Sequence, residues 1–192
     1  MNIFSILKQL LFLKPRILKY RLLSNCAHVS GKPRLASPVL FVGNGEIKFS
    51  KNVQLGYNPS PFLYSHYSHI EARNGGSLIS IGAHTFINNN ASIVANDNKI
   101  RIGKNVLIGT SCNISNSDFH EIDSKNRKSG NPNSTELVIG DNVFIGNNVT
   151  ILKGGSIGNN SVVGAGSIVT KKFPENVVIA GSPAKIIKKL DV

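Results

Sequence analysis

From Ile139 the chain divides into hexads without remainder: IGDNVF, IGNNVT, ILKGGS, IGNNSV, VGAGSI, VTKKFP. An aliphatic residue opens each one, at Ile139, Ile145, Ile151, Ile157, Val163 and Val169, and glycine follows it in four of the six. Four positions further on stands a small or β-branched residue: Val143, Val149, Gly155, Ser161 and Ser167. A period of six is neither the helical period nor the alternation of a simple strand. It predicts an all-β solenoid in which each hexad supplies a short strand and a tight turn. Three hexads then close a triangular coil of about 18 residues, and coils stack at the strand spacing of ~4.8 Å. The aliphatic residue points inward onto its equivalent one coil away. Gly and Asn take the corners because they reach positive φ at the least steric cost.

The same register reads backward through Ile114, Ile108 and Ile102, then Ile93, Ile87 and Ile81, with Ile47 and Val53 in a first, poorer coil. The departures carry the functional information. The step from Ile93 to Ile102 is nine residues, so the chain bulges near Asn96 to Lys99. The step from Ile114 to Ile139 is 25, which extrudes a loop centred on His120 to Pro132. Residues 56–76 also lack the repeat and read as a second excursion. These features predict a basic amphipathic helical segment over 1–38 and repeats over 39–170, interrupted by loops at 56–76 and 117–136. A basic tail with a short helix is expected over 171–192.

The net charge of +12 is concentrated at the ends: seven Lys and Arg lie between Lys8 and Arg34, and five follow position 170. No aromatic residues interleave with these cations, so nucleic acid is not the expected partner. An anionic membrane surface or a phosphate-bearing ligand suits them better. In "MNIFSILKQLLFLKPRILKYRLL", Ile3, Ile6, Leu7, Leu10 and Leu13 fit one helical face, and Pro15 is expected to break or kink the helix. The stretch is too short and too charged to span a bilayer. Either it packs on the body or it is a peripheral membrane foot. Two cysteines, Cys26 and Cys112, are too few for a disulfide framework and imply a reducing cytoplasm. Cys112 occupies a small inward position and reads as a structural thiol.

The stretch "VIGDNVFIGNNVTILKGGSIGNNSVVGAGSIVTKKFPENVVIAGSPAKIIKKL" resembles the hexapeptide-repeat acyltransferases, with the likeness extending over about residues 78 to 190. "HIEAR" at 69–73, "SDFH" at 117–120 and "RKSGNP" at 127–132 resemble the branch that O-acetylates sugars of capsules and O-antigens. The resemblance implies a left-handed parallel β-helix, a homotrimer with sites between subunits, acetyl-CoA as cosubstrate and no metal. It also implies that His120 is the general base. A neutral imidazole is the side chain best matched to accepting a sugar hydroxyl proton near neutral pH. Asp118, Glu121 or Asp123 could each orient that ring.

Further positions follow from the same resemblance. Asn88, Asp118 and Arg127 fall at or beside acceptor-binding positions. Phe144 stands where related enzymes often carry a tryptophan stacked on the coenzyme. Asn147, Ala165, Thr170 and Lys171 match the coenzyme groove, and Lys185 and Lys188 match cations near its phosphates. The competing reading is a corner asparagine for Asn88, a solvated loop acid for Asp118 and ordinary solenoid surface for the coenzyme-groove positions. His66, His69 and Arg73 either reach the acceptor or cap the side of the coil. Three other activities compete: a zinc hydratase, which needs three converging histidines; N-acyl transfer to an amino sugar; and a non-catalytic binding solenoid.

Overall fold

Isoleucine and valine recurring at one phase of a six-residue period can all be buried only if successive strands stack in register, and they do. The computed structural model describes residues 3–128 and 132–191. Among these, strands of two to six residues fall into three mainly parallel sheets, the faces of a triangular β-helix with six complete coils and the start of a seventh. The first face begins with His28–Ser30, the second with Arg34–Leu35 and the third with Val39–Val42. On the second face Leu55, Ile87, Ile108, Ile145, Val163 and Ile179 stack as one buried column. Ile70, Ile93, Ile114, Ile151 and Val169 do the same on the third. Every hexad aliphatic from Ile81 to Val169 is buried, as the period requires.

The corners follow from residue chemistry. Asn90, Asn105, Asn142, Asn148, Asn160 and Asn176 all take positive φ. Their amides also connect coils, as where Asn142 Nδ2 donates to Asn160 Oδ1 at 3.1 Å and Asn160 Nδ2 to Asn176 Oδ1 at 2.9 Å. Ser161 and Ser167 are buried, but their hydroxyls are satisfied by the Asn159 and Gly164 carbonyls. Gly82 shows a different constraint. A Cβ built there would lie 2.4 Å from the Gly103 carbonyl carbon, so the coils reach strand spacing only without a side chain.

The repeat begins earlier and ends later than residues 39–170. The first coil starts at His28, and the last described strand of the helix runs to Gly181. The second coil is phased on Phe49 and Leu55, two residues later than Ile47 and Val53. Ile47 and Val53 are still buried, beside those columns. Only part of residues 56–76 leaves the solenoid, because Ser68–Ala72 forms a rung of the third face with alternating burial. The carboxy-terminal helix is replaced by a strand, Ala184–Lys189, antiparallel to Val177–Gly181. The exposed backbone edge of the last coil offers this segment pairing partners, and that tertiary context outweighs local helix preference.

The amino terminus is helical from Ile3 to Leu23 with a π-turn at Gln9–Leu13. Pro15 therefore does not end the helix. It sits in the first turn of the Lys14–Leu23 helix, where a missing N–H costs least, and the wider turn lies just ahead of it.

Candidate active site

The long loop leaves the solenoid at the corner between the third and first faces, after the fourth coil. Its neck is closed by an antiparallel bridge between Ser117 and Ser134 and by the Thr135 N–H, which donates to the Asn116 carbonyl at 3.0 Å. Phe119 takes φ +60°, with its N–H donating to Ser117 Oγ at 3.1 Å. A bulky residue in that region marks a locally determined turn, and it presents the next residue, His120, exposed to solvent. His120 Nδ1 lies 3.2 Å from the Arg127 carbonyl oxygen. A carbonyl only accepts, so Nδ1 carries the proton and Nε2 is left with a free lone pair.

The ring is thus oriented by a backbone carbonyl rather than by Asp118, Glu121 or Asp123. Asp118 forms an ion pair with Lys153 on the next coil's corner. Asp123 accepts from the Lys125 N–H and from Asn126 Nδ2, each at 3.1 Å. The Arg127 guanidinium donates to the Ile122 carbonyl at 3.2 Å and so shapes the loop. Ser129, Gly130 and Asn131 of "RKSGNP" lie outside the described residues.

The facing wall comes from the rung Ser68–Ala72. Glu71 Oε2 lies 3.0 Å from His69 Nε2, and its Oε1 accepts from Arg73 Nε at 2.7 Å. Burial raises the Glu71 carboxyl pKa, but the bonds from Arg73 and His69 outweigh it and leave the group below its ordinary value. The Arg73 guanidinium rests 4.5 Å from the Phe119 ring centroid, which ties this rung to the loop. Between them is a groove of about 460 Å³ lined by Arg73, Ser92, Asn113, Ser115, Asp118 and Phe119. Hydroxyls, an amide and an aromatic face together suit a ligand with both hydroxyls and C–H surfaces. His66 does not join it: its ring meets Ser65 Oγ and Phe62, and its carbonyl accepts from Arg16. The Glu71 network and Phe119 were not singled out from the sequence, though "SHIEA" alternates as a strand should.

The remaining positions lie elsewhere on the coil. Phe144 projects from the second face and is 50% exposed. In register with it stand Val162, Val178 and Lys188, one on each successive strand. A β-bulge lets both Lys185 and Lys188 pair with the outward residues Ala180 and Val178. The two lysines share a face for that reason, whereas three residues of regular strand would put them on opposite sides. Asn147 and Ala165 occupy the corner between the second and third faces; Thr170 and Lys171 occupy the corner below the loop. Asn147 Oδ1 accepts from the Thr110 N–H at 2.9 Å, a coil-to-coil link. Asn88 sits at the corner after Phe86–Ile87, its Oδ1 accepting from the Asn89 N–H, and does not line the groove between Arg73 and Phe119. Buried Asn89 instead holds residues 57–61 through Tyr57 and Pro61.

Cys112 is buried with Sγ 3.2 Å from the Gly146 carbonyl, and burial pushes its thiol pKa up, so it is not a thiolate nucleophile. Among the described residues no cluster of three or more His, Cys, Asp or Glu could hold a metal ion.

Comparison with known proteins agrees with this architecture. Residues 136–171 match the family described as the hexapeptide repeat of succinyl-transferase. The chain is 45% identical over 116 residues to galactoside O-acetyltransferase of Escherichia coli K12, covering 60% of this chain and 56% of that enzyme. It therefore spans about half the length of the curated relatives it matches. A solved hexapeptide-repeat-containing acetyltransferase from Vibrio cholerae O1 biovar eltor, complexed with acetyl coenzyme A, is 40% identical. It superposes with a TM-score of 0.54 over 59% of this chain and 61% of that one. A polysialic acid O-acetyltransferase structure is 29% identical, with a TM-score of 0.58 over 84% and 83% of the two chains. The solenoid is the left-handed parallel β-helix of these neighbours.

Proposed function

We propose that this chain is a hexapeptide-repeat acetyltransferase that transfers the acetyl group of acetyl-CoA to a hydroxyl of a cell-surface polysaccharide or its sugar precursor. The observation that carries the reading is the presented imidazole, its Nδ1 held by the Arg127 carbonyl, on the loop whose Asp118 and Phe119 line the groove. Nε2 takes the acceptor hydroxyl proton while that oxygen bonds to the thioester carbonyl carbon. The carbon–sulfur bond then breaks, and the CoA thiolate leaves and recovers the proton from the imidazolium. Transfer is direct and needs no enzyme nucleophile. Backbone N–H groups are the fitting donors for the developing oxyanion.

Acetyl-CoA has a matching surface. Phe144 and Lys188 lie three strand spacings apart, roughly 14 Å, on one column whose middle members are Val162 and Val178. An aromatic face, an apolar run and a cation suit a ligand with an apolar arm and phosphates. Phe144 keeps the stacking surface of a tryptophan but not its N–H. His120 and Phe144 stand on different sides of one chain, so they meet only across two copies, which favours a homotrimer with shared sites. Polysialic acid as the acceptor of a neighbour favours a polymeric or oligomeric glycan here.

Purified protein supplied with acetyl-CoA and a panel of surface glycans is expected to release free CoA and add one acetyl mass to a glycan. A chain that hydrolyses or binds nothing would remove the reading. Phe144→Ala is expected to weaken acetyl-CoA binding by about 1 kcal/mol or more, the worth of a stacked aromatic contact. Calorimetry checks it, and unchanged affinity would sink the stacking assignment.

A further inference from the structure

The amino-terminal helix carries apolar residues well beyond the side that holds the body. Leu13 is buried, Arg16 donates to the Leu63 and His66 carbonyls at 2.8 and 2.9 Å, and Tyr20 stacks on Tyr67 at 4.4 Å. These residues form one stripe. Outside it, Ile3 is 82% exposed, Leu11 and Phe12 are each 60% exposed and Leu22 is 77% exposed, with Leu7, Leu10, Leu18 and Leu23 open as well. So large a set of exposed apolar side chains marks an interaction surface, and the body covers little of it.

The charge pattern identifies the occupant. The first 45 residues contain seven Lys and Arg and no Asp or Glu. A second copy docking through this same patch would oppose cation to cation. An anionic bilayer answers both features at once, since the apolar side chains enter the acyl boundary while Lys8, Lys14, Lys19 and Arg21 reach headgroup phosphates. Among the described residues no helix is long and apolar enough to cross a membrane, so the segment lies along the surface. Tyr64, beside Lys8, Phe12 and Arg16, adds an amphipathic ring to the rim.

We propose that residues 3–23 are an interfacial foot that seats the amino-terminal end of the β-helix on anionic lipid. The foot packs on the first two coils, whereas the His120 loop leaves the stack after the fourth. The inference goes beyond the acetyl-transfer reading and does not depend on it.

The test is co-sedimentation of the full chain with vesicles, without acetyl-CoA. Binding is expected to vesicles of phosphatidylcholine doped with phosphatidylglycerol, falling steeply with salt, and to be weak on phosphatidylcholine alone. Lys8→Glu with Lys14→Glu is expected to reduce binding about tenfold or more, and Leu11→Ser with Phe12→Ser is expected to do the same. Neither pair touches the groove, so the circular dichroism spectrum and CoA release with a soluble acceptor are expected to stay unchanged. Equal binding to neutral vesicles, no binding, or pelleting without lipid through self-association would each overturn the foot.

Discussion

His120→Ala is expected to lower turnover by about 10²–10⁴-fold, the usual contribution of a positioned general base, while acetyl-CoA affinity is retained. The geometry makes the expectation selective. Because the Arg127 carbonyl holds Nδ1, no acid is needed to fix the tautomer. Asp123→Asn leaves that contact in place, and Asp118→Asn keeps an amide of the same shape in the groove wall while breaking a part-exposed pair with Lys153, worth about 0–1 kcal/mol. Both are therefore expected to cost far less turnover than His120→Ala. Full activity in His120→Ala would overturn the mechanism, and equal losses at His120 and Asp123 would replace the carbonyl with a carboxylate as the orienting group. A thiol-reactive assay of CoA release reads the first quantity and calorimetry the second.

Ile108→Ala is expected to destabilise the protein by about 2–5 kcal/mol. Ile108 is 1% exposed and stacks between Ile87 and Ile145 near the middle of the second-face column. Deleting its outer carbons removes apolar burial and leaves a void that the coils cannot close, because backbone hydrogen bonds fix their spacing. A solenoid has contacts only between neighbouring coils, so a defect here also weakens the connection between the two halves of the stack. Denaturant titration followed by circular dichroism checks the loss. A midpoint unchanged from the parent would contradict the packing. Leu107→Ala, one residue away but pointing outward, is the natural control.

These two residues also show what sequence could reveal. Ile108 was legible because its neighbours recur every six residues, and His120 was legible because the recurrence fails around it. Leu35 and Phe41 keep the same spacing and stack on Leu55 and Ile70 in the first coil. Their register is hidden because the next coil steps from Leu55 to Ile70 and breaks the backward count. Ser68–Ala72 alternates like any strand, so only its neighbours identify it as a rung. The carboxy-terminal strand depends on an edge built by residues far earlier in the chain. Contacts that shape the groove, Arg73 on Phe119 and Lys153 with Asp118, join segments whose separation in sequence says nothing of their meeting.

The turned-back strand Ala184–Lys189 has a consequence for the protein's solubility. A stack of parallel strands at ~4.8 Å ends in an open row of amide donors and acceptors, the geometry on which cross-β fibres grow. Here the second face ends in an antiparallel strand bearing Lys185, Lys188 and Lys189. Another molecule arriving end-on meets reversed polarity and three like charges instead of a template. The same short segment proposed to meet the coenzyme's phosphates therefore also gives the helix a last rung, and keeps one molecule from becoming the first coil of the next.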